Sequence, residues 1–538
     1  MSSTHQIPLP NHRQMEWYGR ELSAFLHFGL NTFCNREWGD GTDDPALFNP
    51  TQLDCRQWIR TLKEAGFKIA ILTAKHHDGF CLWPSKYTDY SVKSSPYKNG
   101  KGDVVREFTD ACREYGMKAG IYLSPWDRHE PTWGTDAYND YYAAQLTELM
   151  TEYGEIYECW WDGAGSDKVT YDWTRWGEIV RQNQPNAVIF GSLGATPYVD
   201  VRWVGNEKGI AGDPCWSTVN ASALEKETAA ELNAGDPNGS HFFPAEADVS
   251  IRPGWFWHED QNAEVRSLYN LVDLWFHSVG RNAGLLLNLP PDTRGLLHEA
   301  DVAAVTAFGN YLKDSFRDNL LIEKEKIECF PDCNTVEVTY PVADGKKGNC
   351  ILFGEEISNG QKARQAAVWA EVDGAWTLLW EGACVGYKRA LRFEAIKPTR
   401  IRIRMTGIPD APVLRFAGLY AITPLEKPTT PGGFMGKNYL DSSSAIVEKK
   451  GNEIYIQLGG IRPFNTLKLE GSGVKKMEVS IFNGTTFEKH GEALGGEWES
   501  FYSFGETVDW SYRLKVSITP SPTFDMDACQ PKLYLFEG

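Results

Sequence analysis

Eight short apolar runs, almost all closed by polar or charged side chains, recur through residues 25–289 of this 538-residue chain, and that recurrence constrains the fold more than any other feature. They are Phe25–Leu30, Lys68–Ala74, Lys118–Leu123, Ile156–Trp161, Ala187–Gly191, Val201–Val204, His241–Ala245 and Gly284–Leu289. Each has strand length and a β-prone composition. Between several of them lie segments with the helical period: Trp58–Ala65, Val104–Tyr115, Tyr141–Tyr153, Trp173–Asn183 and Ala263–Val279, with Asp301–Phe316 after the last. Strand alternating with helix in this way predicts an α/β fold, a (β/α)8-like TIM barrel. Residues 205–240 are Gly, Asp and Asn-rich, with no clear helix, and read as a long irregular connection.

Past about Lys326 the helical period disappears and alternating runs take over, among them Thr335–Tyr340, Gln365–Val372, Trp376–Trp380 and Arg400–Met405. The same texture returns in Glu453–Gln457, Thr466–Leu469, Met477–Phe482 and Tyr512–Ile518, after the Pro and Gly-rich stretch Pro424–Gly436. Three domains are expected: a catalytic barrel over 1–325, a β-sandwich over 326–425 and a second β-sandwich over 431–538. Neither sandwich carries a motif that assigns it a ligand.

Lys plus Arg number 54 against 72 Asp plus Glu, a net charge of −18, which repels phosphate backbones and anionic lipid surfaces. A nucleic-acid partner is therefore not expected. Nor is membrane insertion, since no apolar run approaches the roughly 18 residues a spanning helix needs. Residues 1–14 lack a basic stretch followed by an apolar one, so they do not read as a secretory signal. A cytoplasmic location follows from them alone, and a periplasmic or extracellular one if a signal has been trimmed. The eleven cysteines are dispersed and odd in number, which favours reduced, buried thiols over a disulfide framework. Twenty Trp residues are the compositional outlier. Most belong in a core, but exposed indole faces suit the C–H faces of sugars.

In a βα barrel the functional groups sit at the C-terminal strand ends, so polar residues closing apolar runs are the candidates. His27, Lys75–Asp78, Ser124–Asp127, Asp162, Glu207, Glu246 and Asn288 all fall there. Alone, Asp162 could as well cap a helix, and Asn206-Glu207-Lys208-Gly209 reads as a surface turn. Their convergence is what points to chemistry. Cleavage of a glycosidic bond needs two carboxyl groups flanking it. Asp162, ending Trp160-Trp161-Asp162-Gly163, is a credible nucleophile, and loop-borne Glu207 a credible acid, with Glu246 competing for that role. Adjacent strand residues point to opposite faces, so His76 and His77 enter together only if their strand has already ended. A metal-dependent amidohydrolase is the other reading of His, Asp and Glu on barrel strands, but no His-x-His pair closes the first strand.

These segments resemble the α-L-fucosidases of glycoside hydrolase family 29, through LHFGLNTFCNREWGDG at 26–41, ILTAKHHDGFCLWPSKYTDYSV at 71–92, GIYLSPWDR at 120–128, ECWWDGAG at 158–165, RWVGNEKG at 202–209 and GRNAGLLLNLPPDTRG at 280–295. NTF, EWG and RWVGNE are similar to the subgroup selective for α-1,3/1,4-linked fucose on Lewis-type glycans. The resemblance implies an exo-acting, retaining double displacement through a covalent fucosyl-enzyme, with Asp162 as nucleophile and Glu207 as general acid/base. It implies that His27, His76, His77 and Trp160 hold the fucose, beside Glu37, Trp38 and Trp126. Glu246, Trp255 and Trp257 are expected on the side of the leaving sugar. No cofactor or metal is expected, and the partner is a fucosylated oligosaccharide or glycoconjugate. The sandwiches look similar to discoidin-like, carbohydrate-binding modules. A broad-specificity fucosidase or transfucosidase, and a fucose-binding protein without catalysis, remain as alternatives.

Overall fold

The computed structural model describes residues 7–165, 169–220, 228–427, 438–471, 473–495, 499–522 and 524–535. An eight-stranded parallel sheet forms the N-terminal part, its strands being Leu22–Leu26, Ile69–Lys75, Lys118–Leu123, Glu158–Trp160, Val188–Phe190, Arg202–Trp203, Ala245–Ser250 and Ala283–Asn288. The first pairs with both the second and the eighth, and a parallel bridge between Phe190 and Val201 links the fifth to the sixth, closing the barrel. Six of the eight runs lie within two residues of their expected bounds, and two differ instructively. The first strand ends at Leu26, because Gly29 starts a short helix, Leu30–Cys34. His241 and Phe242 instead pair antiparallel with Thr218 and Val219. Pro244 has no N–H for a ladder, and the seventh strand begins only after it.

Helices Cys55–Glu64, Val104–Tyr115, Asp136–Glu152, Trp173–Asn183, Leu268–His277 and Glu299–Ser315 pack outside the barrel. Asp54, Asp103, Asp172, Ser267 and His298 cap five of them by accepting a hydrogen bond from a first-turn N–H. Only a one-turn segment, Leu193–Ala195, separates the fifth and sixth strands. Contrary to expectation, the 205–240 connection contains a short helix, Ala229–Ala234, started by a Thr228/Glu231 capping box.

The barrel interior is aromatic, with Phe25, Tyr122, Trp160 and Phe190 packed on Ile69, Ile71, Val188 and Leu286. Its N-terminal end is plugged by helix His12–Tyr18, whose Trp17 and Tyr18 join the same cluster. Gly284 makes room for that plug, since a Cβ there would meet the Trp17 ring at 2.6 Å.

Two modules follow, each a five-stranded and a three-stranded antiparallel sheet face to face. In the first, the five-stranded sheet runs in the order 326–330, 335–341, 400–407, 363–372, 375–382, and the other 389–396, 348–355, 414–420. In the second the orders are 446–450, 453–457, 513–520, 474–482, 487–494 and 499–508, 464–470, 530–534. Strand for strand, these are the same topology. Alternating apolar residues such as Ile401, Ile403 and Met405, or Leu514, Val516 and Ile518, fill the two cores. Most of the Pro424–Gly436 stretch lies outside the described residues.

Candidate active site

The fourth strand ends at Trp160, and Asp162 stands two residues beyond it at the C-terminal mouth of the barrel. Its Oδ2 accepts from the Tyr122 hydroxyl at 2.9 Å, and its Oδ1 from the Ala164 amide at 2.8 Å. These bonds aim a partly exposed carboxylate. Gly165 must be glycine for two reasons: its φ is +72°, and a Cβ would meet the Trp126 ring at 2.3 Å.

Three histidines crowd beside it, all buried. Because the second strand ends at Lys75, His76 and His77 both turn into the mouth, their rings 4.1 Å apart. Burial pushes His27 down to about 3 and His77 to about 4, and holds His76 well below the usual range, so all three are neutral near pH 7. Their neighbours select the tautomers. The Ser124 hydroxyl donates to the Trp126 carbonyl, so His77 Nδ1, 2.7 Å from that oxygen, must itself donate. Its Nε2, 3.6 Å from Asp162 Oδ2, is then an acceptor. Asn288 Oδ1 accepts from the His27 amide and His27 Nδ1, leaving His27 Nε2 an acceptor as well. Asn31 is oriented by the Gly39 amide, so its Nδ2 donates to His76 Nδ1 and His76 Nε2 carries a proton. Two acceptors and one donor are a set suited to vicinal hydroxyls.

Trp160 forms the floor. It stacks on Phe190 at 3.9 Å and donates Nε1–H to Glu246 Oε1 at 3.0 Å. Trp126 and Trp38 flank His77, with ring centroids 4.9 and 5.5 Å from it. Lys75 points away from the mouth and pairs with Asp127 at 2.9 Å, both fully buried. Asp127 in turn accepts from the His129 and Glu130 amides and so shapes the turn beside Trp126.

Glu207 follows the sixth strand in a turn with positive φ at Gly205 and Gly209. The turn expected from sequence is present, yet its carboxylate is tucked inward and accepts from Trp255 Nε1 at 3.3 Å. Burial pushes this carboxyl up to about 7, with the Asp162 and Glu37 charges adding to the rise and the Trp255 bond opposing it. A group poised there can give and take a proton near neutral pH.

Other expected residues sit differently. Glu37 lies at the site, but its oxygens are committed to the Trp255 and Phe256 amides and to His258 Nε2, which anchors the loop carrying Trp255. Trp257 turns toward His298, 6.5 Å away at the cap of the last barrel helix. Glu246 is the second residue of the seventh strand rather than its end, fully buried inside the barrel. It therefore orients Trp160 and does not face a leaving sugar. Tyr122 was missed, although it occupies an inward position of the quoted GIYLSPWDR segment.

Glu246 carries a separate prediction. Burial holds its carboxyl above the ordinary range, and neighbouring Glu158 is raised likewise, both its oxygens without hydrogen bonds among the described residues. A raised carboxyl contributes stability that is fully present below its unfolded value of 4.5 and is lost as pH rises through the folded value. Glu246→Gln, which stays neutral and can still accept from Trp160, is expected to make the fall in thermal midpoint above pH 4.5 shallower. Turnover should stay within about threefold of the parent. A hundredfold loss of turnover would return Glu246 to contention as the acid.

The α-L-fucosidase family model matches residues 4–315. The chain belongs to the α-L-fucosidase family. It is 40% identical to α-L-fucosidase 1 of Arabidopsis thaliana over 449 residues, 77% of this chain and 88% of that one. A solved Bacteroides thetaiotaomicron structure, provisionally assigned as an α-L-fucosidase, is 44% identical with a TM-score of 0.73, covering 77% of this chain and 98% of its own. A Ruminococcus gnavus family 29 fucosidase solved in complex with fucose is 34% identical with a TM-score of 0.71, covering 77% and 95%. The protein is thus an α-L-fucosidase, a retaining glycoside hydrolase. Retention of configuration requires two carboxyl groups close together, one of them attacking the sugar.

Proposed function

We propose that this fucosidase removes α-1,3/1,4-linked L-fucose from Lewis-type or 3-fucosylated oligosaccharides, with Asp162 as nucleophile and Glu207 as general acid/base. The observation that carries the catalytic part is the contrast between the two carboxyls at one mouth. The Asp162 carboxyl accepts from a phenol and from a backbone amide, whereas burial pushes Glu207 up to about 7. In the first step Asp162 Oδ bonds to the anomeric carbon, the glycosidic bond breaks, and Glu207 gives its proton to the leaving oxygen. In the second, Glu207 takes a proton from water, which attacks the anomeric carbon and releases Asp162. His27, His76 and His77 would hold the hydroxyls, and Trp160 the apolar face.

The linkage preference is supported by the likeness of the NTF, EWG and RWVGNE segments to that subgroup, the latter two supplying Trp38 beside His77 and Glu207 beside Trp255. It is tested by comparing fucose release from a Lewis-type trisaccharide, a 2-linked fucosyl oligosaccharide and an aryl α-L-fucoside. Release chiefly from the first is the expected result. Strong turnover of either of the others would discard the linkage preference and leave the fucosidase.

A further inference from the structure

The second β-sandwich reaches into the active site. Trp38, which touches His77 and Trp126 on its barrel side, is covered on the other by Phe482 at 5.9 Å, Tyr512 at 6.2 Å and the Arg513 guanidinium, 4.6 Å from its ring. Three loops that build the pocket are tied to this module. Asn35, in the Trp38 loop, donates to the Ser443 carbonyl at 3.0 Å. In the Trp255 loop, Pro253 accepts from the Ile461 amide at 2.8 Å and Gln261 donates to the Gly459 carbonyl at 2.6 Å. Gly460, at φ +143°, packs so closely that a Cβ would overlap Pro253. Lys208, next to Glu207, pairs with Asp509.

Tyr512 lies where these contacts converge. Its ring is 6% exposed, and its hydroxyl has no hydrogen-bond partner among the described residues. Burial raises this phenol, and the charges of Glu207, Glu37 and Asp162 raise it further. An indole beside an unpaired phenol offers an apolar face and a hydroxyl-sized donor and acceptor, the pairing a pyranose takes.

We propose that the second β-sandwich completes the active site on the leaving-sugar side, with the Tyr512 hydroxyl meeting the sugar to which fucose is attached while Arg513 holds Trp38 in place. This rests on Asp162 and Glu207 being the reacting pair, because they define which side of the pocket the leaving sugar occupies. Tyr512→Phe removes one oxygen and keeps the ring.

In an Asp162→Asn background, calorimetric titration should show that Tyr512→Phe weakens a Lewis-type trisaccharide by about 3- to 10-fold more than it weakens free fucose. Equal weakening of both ligands, or of neither, would overturn the proposal, since a support role acts on both alike. Fucose release by Asp162→Asn would instead sink the assignment of the reacting pair. The selectivity of Tyr512→Phe is then read from kcat/KM of the single variant on the trisaccharide and the aryl fucoside, a loss confined to the trisaccharide supporting the contact and a uniform loss removing it.

Discussion

Asp162→Asn is expected to lower kcat by about 10⁴-fold or more while leaving the fold and the trisaccharide affinity near the parent. Asparagine keeps the shape: its carbonyl oxygen can still accept from the Ala164 amide, and its NH2 can donate to the Tyr122 hydroxyl oxygen, so the local structure has no reason to move. What it lacks is the negative oxygen that bonds to the anomeric carbon, and an amide is a poor substitute for a carboxylate nucleophile. A loss of this size with unchanged binding marks a group that acts in the transition state. Retention of a tenth or more of parental kcat would show that another residue attacks. Mass spectrometry of enzyme quenched during turnover gives an independent check, the fucosyl adduct being expected on the peptide that contains Asp162.

Glu207→Ala should lower kcat/KM on natural glycans by about 10² to 10⁴-fold, the usual range for a general acid/base. Its signature is the pH profile. The first step needs Glu207 protonated, and its carboxyl is pushed up to about 7, so parental kcat/KM should fall as pH rises through that value. In Glu207→Ala and Glu207→Gln that basic limb should vanish. On an aryl fucoside, whose leaving group needs little protonation, azide should restore Glu207→Ala activity and yield a fucosyl azide. An unchanged basic limb with no azide rescue would remove Glu207 from the role.

Much of the barrel could be read directly from periodicity, because each βα unit is local: an apolar strand, a capped helix and a short turn lie within some tens of residues. The Val104–Tyr115 and Trp173–Asn183 helices match their predicted spans for this reason. The seventh strand did not, since His241-Phe242-Phe243 reads as strand but pairs elsewhere, with residues 218 and 219. That displacement is what made Glu246 look like a strand end when it is an interior residue. Glu37, which holds the Trp255 loop, and Trp257, which turns toward His298, show a related effect. A motif marks residues that belong together, but not whether a side chain contacts ligand or holds the loop that does.

The two sandwiches were recognisable as β structure from alternation alone, yet nothing in their residues revealed that they share one strand order. Antiparallel modules need only an inside and an outside at each position, so two sequences can meet that demand with different side chains.

By itself the sequence determined the α/β barrel, the β-rich C-terminal half, the carboxylates and histidines at the strand ends, and the resemblance to fucosidases. These depend on residue type at local spacing. Only the tertiary structure decided which nitrogen of each histidine accepts, why Glu207 is pushed up toward neutrality, and that Tyr512 stands against Trp38, 474 positions earlier in the chain. Those properties depend on burial and on charges and partners brought from distant segments, which no local pattern encodes.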